Sequence, residues 1–240
     1  MKIITVASAK GGVGKSTFCY GVGKMLSDHN KRVLLVDMDI GVRSLDILLG
    51  VSEKIVYNWG DIIKGNCDYR TVAVEAYKNL FVLPAPIDFS EEYNDEAFKK
   101  MISLFDKDFD FIFLDSPAGL ESGFNLAANA CDSSVVMSTP DAISLRAASY
   151  ASEKIRKIGV TDIRIVINKF DKHYHKKIDV DEVIDTVGAR LLGIIPDSDE
   201  VYASVNGEKI PYNSKGSQAF LRISERICGK NVPFRAKNIC

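Results

Sequence analysis

Eight consecutive residues, Lys10, Gly11, Gly12, Val13, Gly14, Lys15, Ser16 and Thr17, combine three glycines, two lysines and two hydroxyls. Glycines in that density let backbone N–H groups turn inward around an anion, with no Cβ in the way. Lys15 follows the last glycine, where a side-chain ammonium reaches the β- and γ-phosphates of a nucleotide, and Ser16 is placed to ligate Mg²⁺ through its hydroxyl. The general phosphate-loop pattern GxxxxGK[ST] requires glycine at its first position, and Ala9 stands there. The form met in full is KGGxGK[ST], which adds Lys10.

A phosphate loop alone hydrolyses nothing. The metal needs further oxygen ligands and an attacking water needs a partner. Three acids answer to that need. Asp37 and Asp39 close the apolar run RVLLVDMD, two residues apart and so on one side of an extended segment. Asp115 closes DFIFLDSP, the Walker B form, in which the aspartate holds Mg²⁺ through its water shell. The expected metal set is Ser16, Asp39 and Asp115. Asp37 could instead cap a turn or helix. Gly119 supplies a flexible point beyond Asp115.

These residues need a scaffold that gathers the ends of separate segments. Seven short apolar runs, 2–8, 32–39, 79–86, 110–117, 133–140, 162–169 and 191–197, hardly alternate with polar residues. Strands buried on both faces of a parallel sheet read that way. Helix patterns lie between them, at 15–27, 95–105, 142–158, 181–189 and 218–228. This alternation predicts an α/β fold: a doubly wound, mostly parallel sheet flanked by helices, with ligands beyond the carboxyl ends of the strands. No linker interrupts residues 1–240, which predicts a single domain.

Composition bounds the partners. Apolar residues make up 46% and charged residues 26%, and the formal charge is −1, so nothing pulls the chain generally toward nucleic acid or an anionic membrane. Five scattered cysteines without a CxxC pair, behind an N-terminal run too short for a signal peptide, predict reduced thiols in a cytoplasm. His173 and His175 lie in the basic stretch KFDKHYHKK, where a solvated loop is expected, since no recognised ligand spacing completes a metal set. The sole tryptophan, Trp59, is expected to pack a helix.

KGGVGKST (10–17), DMDIGVRSLDILLG (37–50), LDSPAGLESG (114–123), INK (167–169) and GIIPDSDEV (193–201) together resemble the MinD branch of the deviant Walker ATPases. That group also contains the ParA partition ATPases. The resemblance runs from about residue 2 to Phe234–Arg235, and DSPAGLE is its most branch-specific part. It implies ATP and Mg²⁺ as cofactors, hydrolysis to ADP and phosphate, and a homodimer in the ATP state that serves placement of the division septum. It implies that Lys10 reaches the partner subunit's nucleotide, as an arginine finger does, and that Asp39 orients the attacking water. Asn168 falls where the family reads the adenine edge, with Lys169 in place of the commoner arginine, and Pro196 and Asp197 fall on the loop over the base. A ParA-like partition or cargo-positioning ATPase is the alternative within the group.

Two departures bear on partners. Relatives of the MinD branch bind membrane through a basic amphipathic C-terminal helix, and here NVPFR is followed only by AKNIC. Five residues are too few for such a helix, so either a membrane-free member of the group or a shortened C-terminus is expected, and peripheral membrane association is not expected from these residues alone. Cys240 is not in a CaaX box and reads as a free thiol. Many relatives carry acids after the arginine of helix 142–158 for partners such as MinC or MinE, whereas Arg146 is followed here by Ala147, Ala148 and Ser149.

Overall fold

Each apolar run becomes a strand of one eight-stranded sheet in the computed structural model, which describes residues 1–171, 180–204 and 210–234. In chain order the elements are β1 (Lys2–Ala7), α1 (Lys15–Asp28), β2 (Val33–Asp37), α2 (Leu45–Leu48), α3 (Trp59–Ile63), β3 (Val74–Tyr77), β4 (Leu80–Leu83) and α4 (Asp95–Ser103). Then follow β5 (Phe111–Asp115), α5 (Ser122–Ala130), β6 (Ser133–Ser138), α6 (Ala142–Ile158), β7 (Ile163–Phe170), α7 (Val180–Val187), β8 (Arg190–Pro196), α8 (Asp199–Ala203) and α9 (Lys215–Ile227). The spatial order is β3-β4-β2-β5-β1-β6-β7-β8, parallel throughout except for the antiparallel pair β3–β4 at one edge. His173, His175 and Cys240 lie outside the described residues.

Successive strand residues face opposite layers, and both layers are core. Val33 and Leu35 join α1 and α9 on one side; Leu34 and Val36 join α3, α4 and α5 on the other. A strand covered on both faces has no polar face to show, which is why the runs lack alternation. The antiparallel edge strand β3 was not expected from the sequence, nor were α2, α3, α5 and α8. Three of these helices have only four or five residues, too few for a 3.6-residue period to register. Helix α6 spans the residues that the pattern predicts, from the Asp141 cap to Gly159 in the left-handed region. Trp59 is fully buried, as a packing residue should be, and its Nε1–H donates to the Asp37 carbonyl at 2.9 Å.

The close approach of α1 to α9 depends on Gly21. A Cβ placed there would sit 2.6 Å from the Phe220 ring, inside the contact distance that side chains tolerate. Glycine inside a helix costs about 1 kcal/mol relative to alanine, so packing outweighs propensity here. Gly21→Ala is expected to destabilise the fold by roughly 1–3 kcal/mol despite the better helix former. Urea unfolding checks this, and an unchanged or higher midpoint would mean that Phe220 swings aside freely.

Candidate nucleotide site

Strand β1 ends at Ala7, and residues 8–14 form a loop that runs into α1. Gly14 precedes the helix at φ +94° and makes no side-chain cap, so the first-turn N–H groups of α1 are left to meet an anion. No other residue fits position 14. Its φ is left-handed, and a Cβ there would lie 2.3 Å from Asn168 Nδ2. That amide donates to the Val13 carbonyl at 2.8 Å, and Lys169 Nζ donates to the Gly12 carbonyl at 3.0 Å. The end of β7 thus holds the loop from the side. The bond to Val13 uses one of the two Asn168 N–H donors and fixes the amide's orientation, with its oxygen left as an acceptor for a ligand.

The acids arrive through register. Asp115 pairs with Val6 of β1 on one side and with Asp37 of β2 on the other, so both carboxylates stand at the carboxyl edge beside the loop. Their roles then differ. Asp37 accepts from the backbone N–H groups of Asp39 at 2.9 Å, Ser44 at 2.7 Å and Leu45 at 2.9 Å, which shapes residues 38–45 and satisfies the start of α2. Burial pushes its pKa up against the pull of these donors. Asp37 is the turn-capping residue, not a ligand of the cavity. Asp39 and Asp115 do face the cavity. Lys15 is buried between them, its pKa lowered by burial and held up by both carboxylates.

Asp115 is 2% exposed, and its Oδ1 is buried without a hydrogen-bond partner. An orphaned buried carboxylate oxygen is costly unless something completes it. A hydrated Mg²⁺ fits that requirement, with Ser16 Oγ near by and 3.3 Å from Ser44 Oγ. Among the described residues no cluster of three or more His, Cys, Asp or Glu could hold a metal. A Mg²⁺ here would therefore draw most of its ligands from water and phosphate oxygens.

Burial, then the charge of Asp37, raises the Asp115 pKa to about 7. The folded state therefore holds a proton that the unfolded chain gives up near pH 4. This group's contribution to stability falls as pH rises from about 4 to about 7, by at most roughly 1.4 kcal/mol per unit. Asp115→Asn is expected to flatten that part of the stability–pH curve, which chemical unfolding between pH 5 and 8 measures directly.

One cavity of about 600 Å³ collects the site. It is lined by Gly11, Gly12, Gly14, Lys15, Ser16, Thr17, Asp39, Asp115, Asn168, Pro196 and Asp197, all expected from the sequence. Val13 and Lys10 are placed elsewhere. Val13 is 1% exposed and anchors the loop in the core. Lys10 points away from its own cavity, and its Nζ lies 3.2 Å from the carboxylate of Asp141, the cap of α6. Arg43, Ser44, Ile47 and Tyr202 also line the cavity and were not anticipated. Arg43 sits at φ +53° with its guanidinium 3.1 Å from Asp46. Arg43, Ser44 and Ile47 lie inside the run 37–50, which by itself assigns them no role, and loop and short-helix geometry brings them and Tyr202 to the cavity.

Comparison with known proteins agrees with this geometry. The model of the CobQ/CobB/MinD/ParA nucleotide binding domain matches residues 4–212. The septum site-determining protein MinD of Bacillus subtilis is 33% identical, over 97% of this chain and 91% of its own length. The Aquifex aeolicus MinC:MinD cell division protein complex contains a chain with a TM-score of 0.90 and 28% identity, covering 98% of both chains. MinD of Pyrococcus horikoshii, solved with Mg-ADP, shares the fold at a TM-score of 0.84 and 24% identity, over 94% of this chain and 95% of its own. Loop, acids, sheet order and these similarities agree that the chain belongs to the MinD branch of the CobQ/CobB/MinD/ParA nucleotide-binding family.

Proposed function

We propose that this protein is a Mg²⁺-dependent ATPase that works as a dimerisation switch in the placement of the division septum. The observation that carries the reading is the split between two lysines. Lys15 lies buried among the acids of its own cavity, whereas Lys10 leaves the same loop outward and pairs with Asp141 at the surface. A loop lysine turned away from its own nucleotide is available to a second copy's.

The chain's residues divide the chemistry. The loop N–H groups and Lys15 hold the phosphates, and Ser16 and Asp115 would hold Mg²⁺, which neutralises phosphate charge. Asp39 positions the attacking water in line with the γ-phosphate. Lys10 of the facing subunit offsets charge on the transferred phosphoryl group. The Asn168 oxygen accepts from the amino group of adenine, which guanine lacks at that position. A regulator of the MinC or MinE kind would meet the exposed side of α6, where Ile143, Arg146 and Tyr150 stand one turn before the Glu153–Lys157 pair.

Size-exclusion chromatography with light scattering tests the switch. A dimer is expected with Mg-ATP and a monomer with Mg-ADP, with phosphate release that chelation abolishes. A monomer under both conditions would sink the dimer mechanism. An ATP-dependent, salt-sensitive shift of DNA would favour the ParA-like alternative. No helix among the described residues is long and apolar enough to cross a membrane.

A further inference from the structure

Sheet order orients any nucleotide bound on this loop. Asp39 and Asp115 follow β2 and β5, on one side of β1; β7 and β8 lie on the other side. With the terminal phosphate and its metal beside the acids, the base must extend toward the ends of β7 and β8. The segment after β8 is α8, and its Tyr202 lines the cavity while 71% exposed. Its neighbour Val201 is buried and fixes the helix: a Cβ on Gly216, at the start of α9, would meet Val201 Cγ2 at 2.3 Å. Ser204 Oγ also donates to the Val201 carbonyl at 2.6 Å. With Val201 turned into the core, the adjacent Tyr202 is turned out of it, over the cavity. Among the described residues its ring has neither an aromatic contact nor a side-chain hydrogen bond.

A large ring held on a seated helix, facing the base end of a cavity and without a ring partner among the described residues, has the chemistry of a stacking platform. No described ring stacks on its π-face, a flat heteroaromatic base offers the complementary face, and stacking needs no hydrogen-bond geometry from either. Among the described residues lining this cavity, Tyr202 alone is aromatic. We propose that Tyr202 stacks on the nucleotide base and separates nucleotides from bare polyphosphates at this site. The inference rests on the nucleotide-binding reading and deepens it by naming a residue for the base.

Titration calorimetry on the whole chain tests it, with Mg-ATP and Mg-tripolyphosphate as ligands and Tyr202→Ala and Tyr202→Phe as variants. Truncating so exposed a ring should leave the fold intact, which circular dichroism and the tripolyphosphate arm both check. Tyr202→Ala is expected to weaken Mg-ATP about tenfold, Tyr202→Phe to retain it, and tripolyphosphate to bind all three proteins alike. Equal ATP binding by wild type and Tyr202→Ala would overturn the stacking role alone. Parallel loss of both ligands in Tyr202→Ala would overturn it too, in favour of a structural role for the ring. A wild type that fails to bind Mg-ATP would overturn the nucleotide reading and the stacking together.

Discussion

Lys10→Ala should leave the monomer able to bind Mg-ATP and abolish the ATP-dependent dimer, with hydrolysis reduced by about 10³-fold or more, the range in which trans-acting cations work. The two halves of the result follow from where the side chain lies. Lys10 does not line its own cavity, so a bound nucleotide loses no contact within the subunit. Its partner there is Asp141, and the pair is well exposed, with side-chain accessibilities of 38% and 45%. An ion pair so solvated contributes roughly 0–1 kcal/mol, so removing it neither unfolds the protein nor frees much energy. Asp141 also keeps its other work: it accepts from the Ser144 N–H at 2.9 Å and from the Thr139 hydroxyl at 2.6 Å, so α6 stays capped. The weakness of the pair serves the mechanism, because Lys10 can leave Asp141 for a stronger phosphate contact at little cost. Light scattering and phosphate release on one preparation read both halves. A Lys10→Ala dimer with wild-type turnover would show that the lysine has no role across the interface.

Asp39→Ala is expected to do the reverse. The ATP dimer should persist and outlast that of the wild type, while turnover falls by about 10²–10⁴-fold, the contribution typical of a positioned acid–base group. The side chain faces the cavity near Lys15, and none of the surrounding loop hangs on it. Among the described residues, the bonds that shape residues 38–45 belong to backbone atoms, among them those of Asp39, and to the carboxylate of Asp37, none to the Asp39 side chain. The Asp39 N–H donates to Asp37, and the Asp39 carbonyl accepts from Val42 at 3.3 Å and Arg43 at 3.2 Å. Alanine keeps all of these. Burial raises the Asp39 pKa and the neighbouring Lys15 pulls it down, so removing the carboxylate also lightens negative charge where the γ-phosphate would sit. Tighter ATP binding with lost hydrolysis is the expected signature, read by filter binding and phosphate release. Loss of the dimer together with turnover would move Asp39 from water positioning to a structural role.

Much of the site was legible because its chemistry is contiguous or sits at strand ends. The run Lys10–Thr17 names itself by residue type, and Asp39 and Asp115 stand where apolar runs stop. Asp37 shows the limit of that reading. Spacing placed it beside Asp39, but only the folded loop shows that three backbone donors claim its carboxylate. Asn168 differs again. It was expected at the base, and it also props the phosphate loop through the Val13 carbonyl, a contact between residues 155 positions apart. Arg43 lies inside the run 37–50 with no role assigned to it, and Tyr202 lies just past the run 193–201; loop and short-helix conformation brings both to the cavity.

By itself the sequence determined the parts: the phosphate loop and its extra lysine, the acids that follow the strands, and the doubly buried runs that make a parallel sheet. Those depend on local rules of residue type, spacing and burial, which act along the chain. Tertiary structure decided which acid faces the cavity, where Lys10 rests, and which ring covers the base end. Each of those depends on strand order and register between segments far apart in sequence, and local periodicity does not encode them. Tyr202 is turned outward only because Val201 is seated against Gly216.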